Sequence, residues 1–146
     1  MKKTLMLMLM LLSVAFMGNA QKNGDKEAKA KEFMEFKIKF LADEIGLTGD
    51  VRQKFVSLYT QYESERRVLW KRARDLEKKI KGNKNATEAE YDEWSKAKAK
   101  IDELSSAYDK KFAKFLTSKQ IYKMKTAEEE FMRKMRDCRD KKKKGK

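Results

Sequence analysis

One cysteine, a few paired carboxylates and a large surplus of cations are the residues here whose types could do chemistry. The 146 residues contain no histidine. The commonest general base is therefore missing, and with it the Ser-His and Cys-His nucleophile pairs and most zinc sites. A single cysteine, Cys138, excludes an internal disulfide framework and a Cys-x-x-Cys metal knuckle. Glu63 with Glu65, and Asp102 with Glu103, are the carboxylate pairs that could serve as acid and base. They sit among Lys and Arg at helical spacings, where solvated i, i+4 ion pairs are the simpler reading. Glu88, Glu90, Asp92 and Glu93 could gather a divalent cation, but as acids opening a helix they complement its dipole. No catalytic, cofactor-binding or metal residue is assigned, and the chain is expected not to be an enzyme.

The cations are more informative. Lys+Arg number 37 against 23 Asp+Glu, a formal net charge of +14. Residues 64–84 hold nine cations against three acids, and residues 133–146 hold nine against two. Such fields attract anionic lipid headgroups, acidic polypeptides or an acidic sensor domain. Nucleic acid is set aside, because no base-stacking platform or groove-reading motif accompanies the charge. Arg66, Arg67, Lys71 and Arg74 are the cations assigned to partner binding. Beside them Val56, Tyr59 and Trp70 form an apolar shoulder, read either as a lip for partners or as packing against the first helix or a second subunit. Phe33, Phe36 and Phe40 add a further apolar row on the first helix.

The elements that must position these residues are helical. Lys2 and Lys3, an apolar run from Thr4 to Phe16, and Gly18-Asn19-Ala20 have the layout of a signal peptide cleaved before Gln21. A run of thirteen residues is too short to span a bilayer, which needs ~20. The expectation is a cleaved segment 1–20 and an exported, periplasmic protein. The rest loses only Lys2 and Lys3 among its charges, so it keeps a net charge of +12. Residues 21–30 read as a loose leader, and a first helix is predicted from about Lys26 to Ile45. Gly46 stops it. A second helix runs to about Lys81 with the stripe Val51, Phe55, Leu58, Tyr62, Leu69, Ala73, Leu76, Ile80. Thr87-Glu88-Ala89-Glu90 and Thr117-Ser118-Lys119-Gln120 are capping boxes that open a third and a fourth helix. Without proline and with six glycines, a turn-rich sheet fold is excluded.

The fourth helix carries Ile121, Met124, Glu128, Phe131, Met135 and Cys138 along one face. Cys138 reads first as a small buried side chain there and second as a thiol able to link two chains. The helical domain is placed at 21–140, and residues 141–146 are read as a basic disordered tail able to touch a membrane surface. The prediction is all-α, with four helices and a long antiparallel hairpin of coiled-coil type between the second and third. So few apolar residues cannot fill a wide core, and a homodimer would complete it.

Two helix starts share a pattern. Leu116-Thr117-Ser118-Lys119-Gln120 is a full LTxxQ pentapeptide, and Leu47-Thr48-Gly49-Asp50-Val51 is a partial one. With a helical hairpin between them, a signal peptide and basic charge, the chain resembles the Spy/CpxP family of periplasmic LTxxQ-motif stress proteins. The resemblance implies an interlocked, cradle-like homodimer that responds to stress. It implies an ATP-independent holdase-type chaperone for unfolded or acidic clients, or alternatively an adaptor docking on the periplasmic sensor domain of an envelope-stress histidine kinase. Leu47, Thr48, Leu116, Thr117 and Gln120 are assigned to helix capping and architecture. Val51 stands where the motif has Gln, so Thr48 is expected to cap alone. The lack of His sets aside the family's zinc-linked branch.

Overall fold

The computed structural model describes residues 23–144, so the signal-peptide reading of residues 1–20 lies outside it. Four helices follow one another: α1 (Asn23–Ile45), α2 (Gly49–Gly82), α3 (Glu88–Phe112) and α4 (Ser118–Lys144). No strand occurs among the described residues, and the fold is all-α. None of these helices is long and apolar enough to cross a membrane. The loose leader is corrected from Asn23 onward. The stretch to Ala30 is rich in Ala, Lys and Glu, which favour helix, and Asp25 stands in the first turn.

The joints are local devices. Gly46 adopts φ 76°, the left-handed region that glycine tolerates. It donates its N–H to the Asp43 carbonyl at 3.0 Å while Leu47 donates to Ala42 at 2.9 Å, the double bond of a Schellman stop. Thr48 does not cap α2 with its side chain, contrary to expectation. The joint is tied instead by Arg52, which donates to Asp43 Oδ1 at 2.7 Å and to the Leu47 carbonyl at 3.2 Å. Both capping boxes form. The Thr87 N–H donates to the Glu90 carboxylate and the Thr117 N–H to Gln120 Oε1, each at 2.9 Å. Gln120 N–H returns a bond to Thr117 Oγ1 at 3.2 Å. Leu47 and Leu116, the leucines of the two pentapeptides, are buried.

The described residues divide into two units, one ending at Lys37 and the other beginning at Ile38. In the first, Phe33 and Phe36 are half-buried. The second holds the buried core. There Phe55, Tyr59 and Tyr62 of α2 meet Tyr108 and Phe112 of α3, with ring centroids 4.9 Å apart for Tyr62–Tyr108 and 5.8 Å for Phe55–Phe112. Tilted pairs at such distances are favourable arrangements of aromatic quadrupoles. Phe131 of α4 closes on Phe40 at 5.5 Å. Phe40, assigned from sequence to partner contact, is therefore core.

Tyr59 is corrected in the same way, being fully buried. Val51, placed in the inward stripe, is 37% exposed. At 100° per residue the buried face of α2 is turned roughly 35° from the apolar stripe, toward Tyr59. The aromatic ring of Tyr59 buries more area than Val51 could, and the packing follows the larger payload.

Farther along α2 and α3 the core thins to Ala73, Ala97 and Ile101, with Leu69 and Leu76 partly covered. Exposed ion pairs replace it, Arg72 to Glu93 at 3.2 Å and Lys79 to Glu90 at 3.0 Å. Such pairs contribute about 0–1 kcal/mol each, so this end is held weakly.

Two expectations for α4 are corrected. Cys138 is exposed rather than buried, because the core ends at Phe131 while the helix continues. The tail read as disordered, residues 141–146, is helical as far as Lys144. Lysine is a good helix former, and cations suit the negative end of the helix dipole.

Candidate functional site

Arg67, Lys71, Arg74 and Lys78 recur at steps of four, three and four on α2. At 100° and ~1.5 Å per residue they lie within about 60° of one another over ~16 Å, turned away from the buried face. All four are exposed. They form no ion pair among the described residues, whereas Arg72, Lys79 and Lys81 of the same helix do. A row of unneutralised charges on a rigid element is a source of long-range attraction for anions.

Arg66, grouped with them from sequence, stands elsewhere. Its guanidinium bridges Glu63 of its own helix and Glu128 of α4, the latter at 2.6 Å, and lies 4.8 Å from the centre of the Tyr62 ring. Burial pulls its pKa down, but the Glu128 and Glu63 carboxylates outweigh that and raise it above the ordinary arginine value. Arg66 is a tie between helices and not a free surface cation. Glu128, placed by sequence on the inward face of the fourth helix, is matched there by this charge.

Apolar surface borders the basic row. Trp70 is 39% exposed, with the Lys98 ammonium 4.2 Å from its ring centroid, a cation–π contact. Val56 is exposed one helical region earlier. Val68, which no sequence stripe singled out, is 68% exposed and opens a shallow groove of about 460 Å³ shared with Lys71, Leu76, Lys79 and Glu93. Lys78 was also missed, although its spacing from Arg67 signals the same row. The surface offers charge along one line and apolar contact beside it.

Of the carboxylates weighed as acids, bases or cation ligands, Glu63, Glu65, Glu90 and Glu93 are engaged structurally. Glu65 accepts from the Tyr108 hydroxyl at 2.7 Å and from Gln61 at 3.1 Å, and these bonds hold its pKa below the usual carboxylate value. Glu90 is held low by the Thr87 N–H and then by Lys79. Among the described residues no three of His, Cys, Asp and Glu gather to hold a metal ion.

Burial, and then the Glu65 bond, pushes the Tyr108 hydroxyl up to about 12. The folded chain thus keeps a proton that the unfolded chain releases near 10, and stability falls as pH rises between those values. Tyr108→Phe is expected to flatten part of the alkaline limb of Tm between about pH 10 and pH 12, and to leave the slope near pH 7 unchanged. An unaltered alkaline limb would show that Tyr108 titrates as a free tyrosine.

No protein-family model, no curated protein and no solved structure matches the chain.

Proposed function

We propose that this chain is an exported, ATP-independent holdase-type chaperone that captures unfolded or acidic proteins on α2. The supporting observation is the row Arg67, Lys71, Arg74, Lys78, exposed and unpaired beside Trp70 and Val68. Charge would bring clients in, and the apolar border would hold them loosely and without sequence preference. The reading includes a Spy/CpxP-like antiparallel hairpin of α2 and α3, interlocked with a second copy. The thin core around Ala73, Ala97 and Ile101 supports this, since it leaves Leu69 and Leu76 half covered. Sedimentation equilibrium is then expected to give twice the chain mass.

The test is stopped-flow binding to an unfolded client at two salt concentrations. Replacing Arg67, Lys71, Arg74 and Lys78 with Gln is expected to slow capture about tenfold or more at low salt and flatten the salt dependence. Trp70→Ser is expected to speed release instead, because short-range contact acts after encounter. Both variants must retain helix content by circular dichroism. A charge variant that binds as fast as the parent, with the same salt slope, would reduce the row to a solvated face. Suppression of aggregation across several unrelated clients separates the chaperone from the sensor-domain adaptor, which would bind one folded partner tightly and protect none.

A further inference from the structure

The outward line of α2 carries more than its four cations. At 100° per residue, Val56 and Thr60 stand on the line of Arg67, Lys71, Arg74 and Lys78, about three and two turns before Arg67. Val56 is 37% exposed, and Thr60 is exposed. From Val56 to Lys78 no exposed acid comes within about 60° of this line. Glu63 does, but it is buried and bonded to Arg66. Trp70 flanks the row about 70° from its centre, with the Lys98 ammonium of α3 over its ring. The result is a straight, acid-free cationic strip of ~16 Å, edged by one indole. It lies on a helix that is not apolar enough to cross a membrane.

We propose that this face of α2 docks lengthwise on the surface of an anionic lipid bilayer. Charge complementarity selects a phosphate-rich partner. Arg67 and Arg74 present planar forks that can meet two phosphate oxygens at once, and Lys71 and Lys78 add point charges. Each cation at such a surface strengthens attachment about fivefold, so four together hold the chain reversibly. The indole then selects a bilayer over a soluble polyphosphate. Free polyphosphate gives Trp70 nothing apolar to enter, whereas the headgroup layer is where tryptophan settles. The long Lys and Arg stems let the charged heads stay among the phosphates while the ring sinks beside them. A plane also asks no more of the protein than a straight, one-sided face, and the row supplies one. This inference goes beyond the chaperone reading and does not rest on it, since a bilayer can hold the row whether or not clients use it.

In the full chain with Trp94→Phe, Trp70 is the one remaining tryptophan, and circular dichroism checks that helix content is kept. Its emission is followed on vesicles whose acyl chains carry bromine, a short-range quencher. Phosphatidylcholine alone is compared with phosphatidylcholine containing about one-third phosphatidylglycerol. Quenching is expected on the anionic vesicles only. It is expected to disappear when Arg67, Lys71, Arg74 and Lys78 are replaced with Gln, and when salt is raised from about 0.1 M to about 1 M. The salt arm keeps the row intact, so the result does not hang on the folding of the charge variant. The readout is local to α2, so attachment through the apolar run 4–16 leaves it silent. The proposal is overturned if Trp70 is quenched equally on both vesicles, on neither, or as strongly in the charge variant as in its parent. It is also overturned if inorganic polyphosphate or an unfolded acidic protein, at equal charge, strips the chain from the anionic vesicles, which would give the row to a soluble occupant. Capture of unfolded clients is measured without lipid, so the two readings fail separately.

Discussion

Replacing Arg66 with alanine is expected to lower the unfolding free energy by about 3–5 kcal/mol, measured by urea denaturation at pH 7. The substitution removes one cation and leaves two carboxylates, Glu63 and Glu128, facing each other in a partly buried setting. The loss is dominated by the two carboxylates deprived of the cation they share, and not by the missing attraction itself. It follows that a triple variant, Glu63→Gln, Arg66→Met, Glu128→Gln, recovers most of the stability that the single variant loses. Arg66→Lys should fall between, because an ammonium cannot present the fork that meets both carboxylates. A cost below about 1 kcal/mol for Arg66→Ala would show that the cluster is solvated like an ordinary surface pair. Because Glu128 is the α4 member, the same experiment reports how firmly that helix is tied to α2.

Phe112→Ala carries an effect of similar size. The ring is 1% exposed and touches those of Phe55, Tyr59, Tyr108 and Phe115 at centroid distances from 5.8 to 6.4 Å. Truncation removes its transfer free energy and leaves a cavity between two helices that cannot fully close, at a cost of about 3–5 kcal/mol. Total stabilities are commonly ~5–15 kcal/mol, so the variant should be only marginally folded at 37 °C. Near-ultraviolet circular dichroism should lose its aromatic signal before helix content falls. Phe115→Ala is the internal control. It lies at the edge and is half-buried, so its loss should be less than half as large. Equal costs at the two positions would place the centre of the core elsewhere.

The parts of this architecture that the sequence specifies by itself are those decided within five or six residues. The Gly46 stop and the Thr87/Glu90 and Thr117/Gln120 boxes each close through bonds between near neighbours, so residue type and spacing suffice to read them. The row Arg67, Lys71, Arg74 was equally legible, since helical periodicity alone aligns it. The thinning of the α2–α3 seam could also be anticipated, because the heptad series Val51, Leu58, Glu65, Arg72, Lys79 on α2 turns charged halfway.

What faces what was decided only by the tertiary structure. Arg66 shares its helix and its neighbours with Arg67, yet one is a partly buried tie and the other a free surface charge. The difference is Glu128, 62 residues away. Tyr59 and Phe40 had the spacing of a surface shoulder and a surplus apolar row, and both became core once Phe112 and Phe131 were brought against them. Thr48 had the right type for a cap, but the joint was taken over by Arg52 reaching back to Asp43. Cys138 had the right period for burial, yet it is exposed, because the buried core ends at Phe131 and the helix continues. Periodicity names the faces of a helix and their polarity. It carries no information on where the buried core ends, and that decides which inward residues are covered.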